Sequence, residues 1–200
     1  MKKNLKFLLL APLLMAILCG EEGDDFPCAS VAPEFFLEVE NISESYDIDE
    51  TIWIESEATS VLLNGCPGED VREVLGDGIF VLKLTNQLEN LNAVVVQNYN
   101  VIYEFGSEYN TNFCFEYISY VPEYSENELA YKFRLGISIN QPGDYCFVNA
   151  RDSYFNLEQE NNSEIFAPYD VLNNTIKFNS CAETFTRNGT QTHYFFRVNP

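Results

Sequence analysis

The chain has 200 residues, a formal charge of −20 and 46% hydrophobic residues, with sixteen Phe and twelve Tyr. Such acidity repels phosphate backbones and anionic bilayers, so nucleic acid is excluded as a partner. Abundant aromatics with only 21% charged residues exclude a disordered chain and suffice for one substantial core.

The first element is an export signal over residues 1–18. Lys2, Lys3 and Lys6 precede an apolar run from Phe7 to Leu18, broken only by Pro12 and closed by Cys19. Twelve residues at 1.5 Å each reach roughly 18 Å, short of a hydrocarbon core of about 30 Å, so the run addresses the chain rather than spanning a membrane. Its removal would take the charge from −20 to −23.

The segment Leu14-Met15-Ala16-Ile17-Leu18-Cys19, followed by Gly20-Glu21-Glu22-Gly23-Asp24-Asp25, resembles a bacterial lipoprotein signal. It is most similar to those of Bacteroidota, in which acidic residues after the cysteine accompany export to the cell surface. The resemblance implies cleavage after Leu18, a lipid on Cys19 and a membrane anchor at the outer membrane or cell surface. It departs from the usual pattern at Leu18, where a small residue is expected, and at Ala16, where Leu is preferred. Cleavage near Gly20 by an ordinary signal peptidase, giving a secreted protein, is the competing reading. Residues 19–33, with Pro27 and Pro33, read as an acidic tether.

Residues 34–200 read as a single domain with a period of two. Strands are expected at Phe35–Glu40, Thr51–Glu57, Ile79–Leu84, Ala93–Phe105, Asn112–Val121, Tyr131–Asn140, Tyr145–Ala150, Thr175–Asn179, Glu183–Arg187 and Thr192–Val198. The plainest is Tyr131–Asn140, with Tyr131, Phe133, Leu135, Ile137 and Ile139 on one face and Lys132, Arg134, Ser138 and Asn140 on the other. A short helix is expected at Glu69–Leu75, a surface excursion at Arg151–Asn174 and a tight hairpin at Asn188-Gly189. Eight to ten short strands imply an all-β fold, an antiparallel β-sandwich. Gly143-Asp144-Tyr145-Cys146 resembles the approach to strand F of immunoglobulin-like domains, although Tyr145 adjoins the cysteine instead of standing two residues before it.

Five cysteines follow Cys19: Cys28, Cys66, Cys114, Cys146 and Cys181. In an oxidising compartment they suggest disulfides, and a lipidated Cys19 leaves two bridges and one unpaired thiol. Cys114–Cys146 and Cys28–Cys66 are the pairs expected. With a single histidine and no Cys-x-x-Cys spacing, neither a metal nor another cofactor is expected. Asp47-Ile48-Asp49-Glu50 and Glu69-Asp70 are the acidic clusters weighed for calcium, and both lack the spacing of a known calcium loop.

No nucleophile elbow or zinc-protease helix occurs, and no catalytic residue is assigned. His193 alternates with Tyr194 and Phe196 as a sheet residue. The candidate ligand-binding residues are Tyr99, Tyr103, Tyr109, Tyr117, Tyr120 and Tyr124, because exposed aromatic rings stack on sugars and anchor protein contacts. Four Asn-x-Ser/Thr sequons begin at Asn41, Asn161, Asn173 and Asn188. A non-catalytic surface module binding glycan or protein is the first functional expectation. The alternatives are a carbohydrate-active enzyme working through carboxylates and a component of a multi-protein envelope assembly.

Overall fold

The computed structural model describes residues 36–59, 77–109, 116–128, 130–150, 154–155, 165, 167–169, 175–188 and 193–200. These form β1 (Phe36–Val39), β2 (Ser45–Tyr46), β3 (Thr51–Thr59), β4 (Asp77–Leu88), β5 (Leu91–Val95), β6 (Tyr99–Phe105) and β7 (Ile118–Tyr120). They continue as β8 (Glu123–Ser125), β9 (Ala130–Ile139), β10 (Gly143–Asn149), β11 (Tyr154–Phe155), β12 (Thr175–Ser180), β13 (Glu183–Asn188) and β14 (Tyr194–Val198), with one 3-10 turn at Ala167–Tyr169. No helix among the described residues is long and apolar enough to cross a membrane.

The fold is an all-β sandwich. One sheet runs β11-β1-β3-β9-β6, with β8 also on β9; the other runs β2-β14-β10-β4-β5, with β7 also on β4. Pairing is antiparallel except for β1 with β11 and β14 with β2. The described residues hold fourteen strands where eight to ten were expected, partly because the chain changes sheets more often than its periodicity signals. The expected strand Ala93–Phe105 is divided this way, β5 lying in the second sheet and β6 in the first.

Between the sheets lies a core that both supply. Leu37, Val39, Ile52, Ile54, Phe133, Leu135, Ile137 and Ile139 come from the first sheet; Ile79, Val81, Tyr145, Phe147, Tyr194, Phe196 and Val198 come from the second. A second core covers the opposite face of the second sheet. There Phe80, Leu82, Leu84, Cys146, Val148 and Phe195 pack with Ile165 and with Ile176 and Phe178 of the β12–β13 hairpin. The second sheet is therefore buried on both faces, which is why Ile79-Phe80-Val81-Leu82 and Tyr194-Phe195-Phe196 are continuously apolar while β9 alternates. At about 1.5–3 kcal/mol for each fully buried large apolar side chain, exposing this second core would outweigh any single polar contact.

The covering hairpin corrects one sequence expectation. β13 pairs with β12 through a two-residue turn at Cys181-Ala182, not with β14 around Asn188-Gly189. Cys181 and Ala182 have φ of 52° and 64°, the left-handed pair of a tight hairpin turn that Asn-Gly usually supplies. Partners explain the choice: Ile176, Phe178 and Phe185 need the second sheet's outer face, whereas β14 fills the place beside β10. Asn92 of β5, fully buried, docks the hairpin with its side chain. Its Nδ2 donates to the Thr175 carbonyl (2.7 Å) and its Oδ1 accepts from the Lys177 N–H (2.8 Å).

Of the cysteines, Cys146 is a free thiol, buried in the second core, where burial pushes its pKa far up. The expected Cys114–Cys146 bridge is thereby overturned: on β10, Cys146 faces away from the inter-sheet core into an apolar shell. Cys181 is disulfide-bonded, and Cys28, Cys66 and Cys114 lie outside the described residues. The expected helix at Glu69–Leu75, most of the Arg151–Asn174 excursion and the Asn161 and Asn173 sequons also lie outside them. Asn41 is described, and its side chain is used internally: Nδ2 donates to the Thr51 carbonyl and Oδ1 accepts from the Trp53 N–H.

Replacing Asn92 with Leu keeps the volume but strands a carbonyl and an N–H of β12. The expected loss is about 1–3 kcal/mol, read as a lower urea midpoint with an unchanged slope.

Candidate functional site

Because the second sheet is covered on both faces, the outward face of the first is the broad wet surface among the described residues. Ladder register fixes what stands side by side on it. Glu38 of β1 faces Glu55 of β3, which faces Arg134 of β9, which faces Phe105 of β6. One step along, Glu57 faces Lys132. In the other direction Trp53 faces Gly136, which faces Ile102.

Two backbone features shape this surface. A register shift between Tyr103 and Phe105 swings Phe105 outward beside Arg134, while Tyr103 stays packed on the core. Gly136 leaves a gap in which the Trp53 ring lies, since a Cβ there would come within 2.6 Å of Thr51 and 3.0 Å of Trp53. Trp53 in turn carries the Arg134 guanidinium, 3.9 Å from its ring centroid.

The charges are tied together from these positions. Arg134 holds Glu40 through a forked pair of hydrogen bonds and also pairs with Glu104. Lys132 holds Glu57 (3.0 Å) and Glu128 (2.8 Å). The Arg134 hydrogen bonds hold the Glu40 carboxyl below the usual range. Glu55 moves upward, first because it is partly desolvated and then because the charge of Glu40, to which it is hydrogen-bonded, lies against it. One pair of adjacent carboxyls thus has its affinities for the proton pushed apart, Arg134 holding Glu40 down while desolvation and the Glu40 charge raise Glu55.

These side chains line a groove of about 340 Å³. Phe36 and Phe105 rise from its two outer strands, with Glu38, Glu55, Glu57, Lys132 and Arg134 between them. Both phenylalanines are half exposed, at 50%. Three strand spacings and one step along the strands separate them by roughly 15 Å. Such a surface can hold an extended ligand between two apolar walls, with carboxylates to accept its N–H or O–H groups.

The six candidate tyrosines do not share an exposed face. Tyr99 and Tyr103 turn inward against the inter-sheet core, and the Tyr103 hydroxyl donates to the Ser119 carbonyl (2.8 Å). Tyr117 packs edge-on to Phe80 over the second core. Tyr120 is buried, stacked on Phe133 at 4.2 Å. Tyr124 packs on Tyr131, and Tyr109 is partly buried, its carbonyl accepting from the Ser119 hydroxyl. The reason is parity: Tyr99, Val101 and Tyr103 occupy the core-facing positions of β6. His193 is buried edge-on to Phe195. Asp47 to Glu50 form a turn in which the Glu50 carboxylate accepts from the Asp47 N–H (2.8 Å), while Glu69-Asp70 lies outside the described residues.

Trp53, Phe36 and Phe105 were not singled out from sequence as a site. The wet parity of β3 and β9 marks the face, but nothing local brings β1 and β6 alongside. Compared with protein-family models, with curated proteins and with solved structures, the chain matches none.

The two carboxyls make opposite predictions for stability. Glu40, depressed below 4.5, stabilises the fold at higher pH, and that contribution is lost as pH falls through its lowered value. Glu55, raised above 4.5, opposes folding when ionised and stops doing so once protonated. Glu55→Gln should therefore raise the Tm at pH 7, with the gain shrinking as pH falls through the Glu55 value and below 4.5. Thermal melts of both proteins from pH 3 to 7 check this.

Proposed function

We propose that the protein is a non-catalytic binding module, anchored at the outer surface of a cell through a lipid on Cys19, that takes an extended ligand in the Phe36–Phe105 groove. The observation that carries the binding site is the groove itself: two half-exposed aromatic side chains on its outer strands with a polar floor between them, on the sandwich's wet face. Large exposed aromatics are costly to leave in water and commonly anchor ligands. The floor is rigid, since its side chains spring from paired strands and are cross-linked by ion pairs, so little ordering opposes binding.

As a glycosidase acid and base, the Glu40–Glu55 pair finds less support. Glu40 and Glu55 are hydrogen-bonded to each other. A glycosidase acid and base stand about 5 Å or more apart, with the scissile bond or a water between them. The anchor rests on the Cys19 segment and its acidic tail.

Two measurements test the proposal. Intact mass of the mature protein from its native cell should show a diacylglycerol-modified Cys19, and a free terminus at Glu21 would refute the anchor. Titration against panels of oligosaccharides and peptides should find a ligand whose affinity drops at least about tenfold in the F36A/F105A double variant. Undiminished binding by that variant, with an unchanged Tm, would remove the groove as the site.

A further inference from the structure

The groove's charge balance selects among ligands. Its two cations are already engaged: Arg134 by Glu40, Glu104 and the Trp53 ring, and Lys132 by Glu57 and Glu128. Neither offers an unsatisfied positive charge to an anionic ligand. Among the described residues negative charge, by contrast, is in excess, since Glu55 lines the groove in addition to the four carboxylates that hold the cations. Glu55 lies against the negative charges of Glu40 and Glu38, which Arg134 opposite it offsets only in part, a position that an arriving ammonium or guanidinium would relieve.

We infer that the ligand is an extended peptide segment bearing lysine or arginine, laid across the strands with its cations over Glu55, Glu57 and Glu38. This deepens the binding-groove reading and depends on it. Four or five extended residues, at about 3.3 Å each, span the roughly 15 Å between the phenylalanines. Phe36 and Phe105 are placed to cover the aliphatic stems of lysine or arginine and to face their charged heads. A neutral glycan could use the walls, but the excess charge would contribute nothing to holding it. The chain's net charge of −20 also steers a basic partner toward the surface.

The test uses the mature full-length chain and a fluorescein-labelled octapeptide of alternating lysine and alanine. Glutamate–alanine and serine–alanine octapeptides and neutral hexasaccharides serve as competitors. The expected result is anisotropy-detected binding of the lysine peptide alone, weakening roughly tenfold or more between 50 and 500 mM salt. Glu38→Gln with Glu55→Gln, and separately F36A/F105A, should each weaken it at least about tenfold. Glu89→Gln with Glu183→Gln, exposed carboxylates elsewhere on the molecule, should leave it unchanged. Circular-dichroism melts confirm that every variant is folded. If the Glu89/Glu183 variant loses as much as the groove variants, attraction is general and the inference is overturned. Salt-independent binding of a neutral saccharide, lost in F36A/F105A, would overturn the cationic ligand but keep the groove. If no probe responds to F36A/F105A, both fail.

Discussion

The constraint on which the structure depends is the burial of β4, β10 and β14 on both faces. These strands carry large apolar side chains at consecutive positions, so covering one face alone would leave Phe80, Leu82, Cys146, Val148 and Phe195 in water. The first sheet covers one side and the β12–β13 hairpin covers the other. The hairpin forms its own two-stranded sheet, and the Asn92 amide supplies two hydrogen bonds between it and the second sheet. A single buried asparagine thus links the two layers and pairs a carbonyl and an N–H of β12.

That arrangement also decides where function can lie. Once the second sheet is enclosed, the wet face belongs to β1, β3, β9 and β6, and its side chains are placed by ladder register rather than by loops. Gly136, Trp53 and Arg134 form a stack on that face: the glycine makes room for the indole, the indole carries the guanidinium, and the guanidinium gathers Glu40 and Glu104. Both floor cations are held by acids of the protein itself.

The same separation of faces settles the chemistry of Cys146. Tyr145 and Cys146 are neighbours on β10 but point into different cores. The Tyr145 hydroxyl donates to the carbonyl of Gln141, four residues upstream, at 3.0 Å. A tyrosine near the start of strand F bonds back in this way in immunoglobulin domains. The likeness stops at the cysteine, which in those domains bridges the two sheets and here faces outward into the second core.

Several features were determined by the sequence alone. Alternation in β9 identified the buried face and, on the other, the positions of Lys132 and Arg134, because a strand's side chains alternate wherever one face is wet. What only the tertiary structure decided was partnership. Strand pairing is non-local, so residue spacing could not show that β13 turns back on β12, that β5 and β6 belong to different sheets, or that Phe36 and Phe105 line one groove. For the same reason Tyr99 and Tyr103 suggested a site that the structure turns inward: composition counts rings, but the register and parity of β6 determine which of its side chains meet solvent.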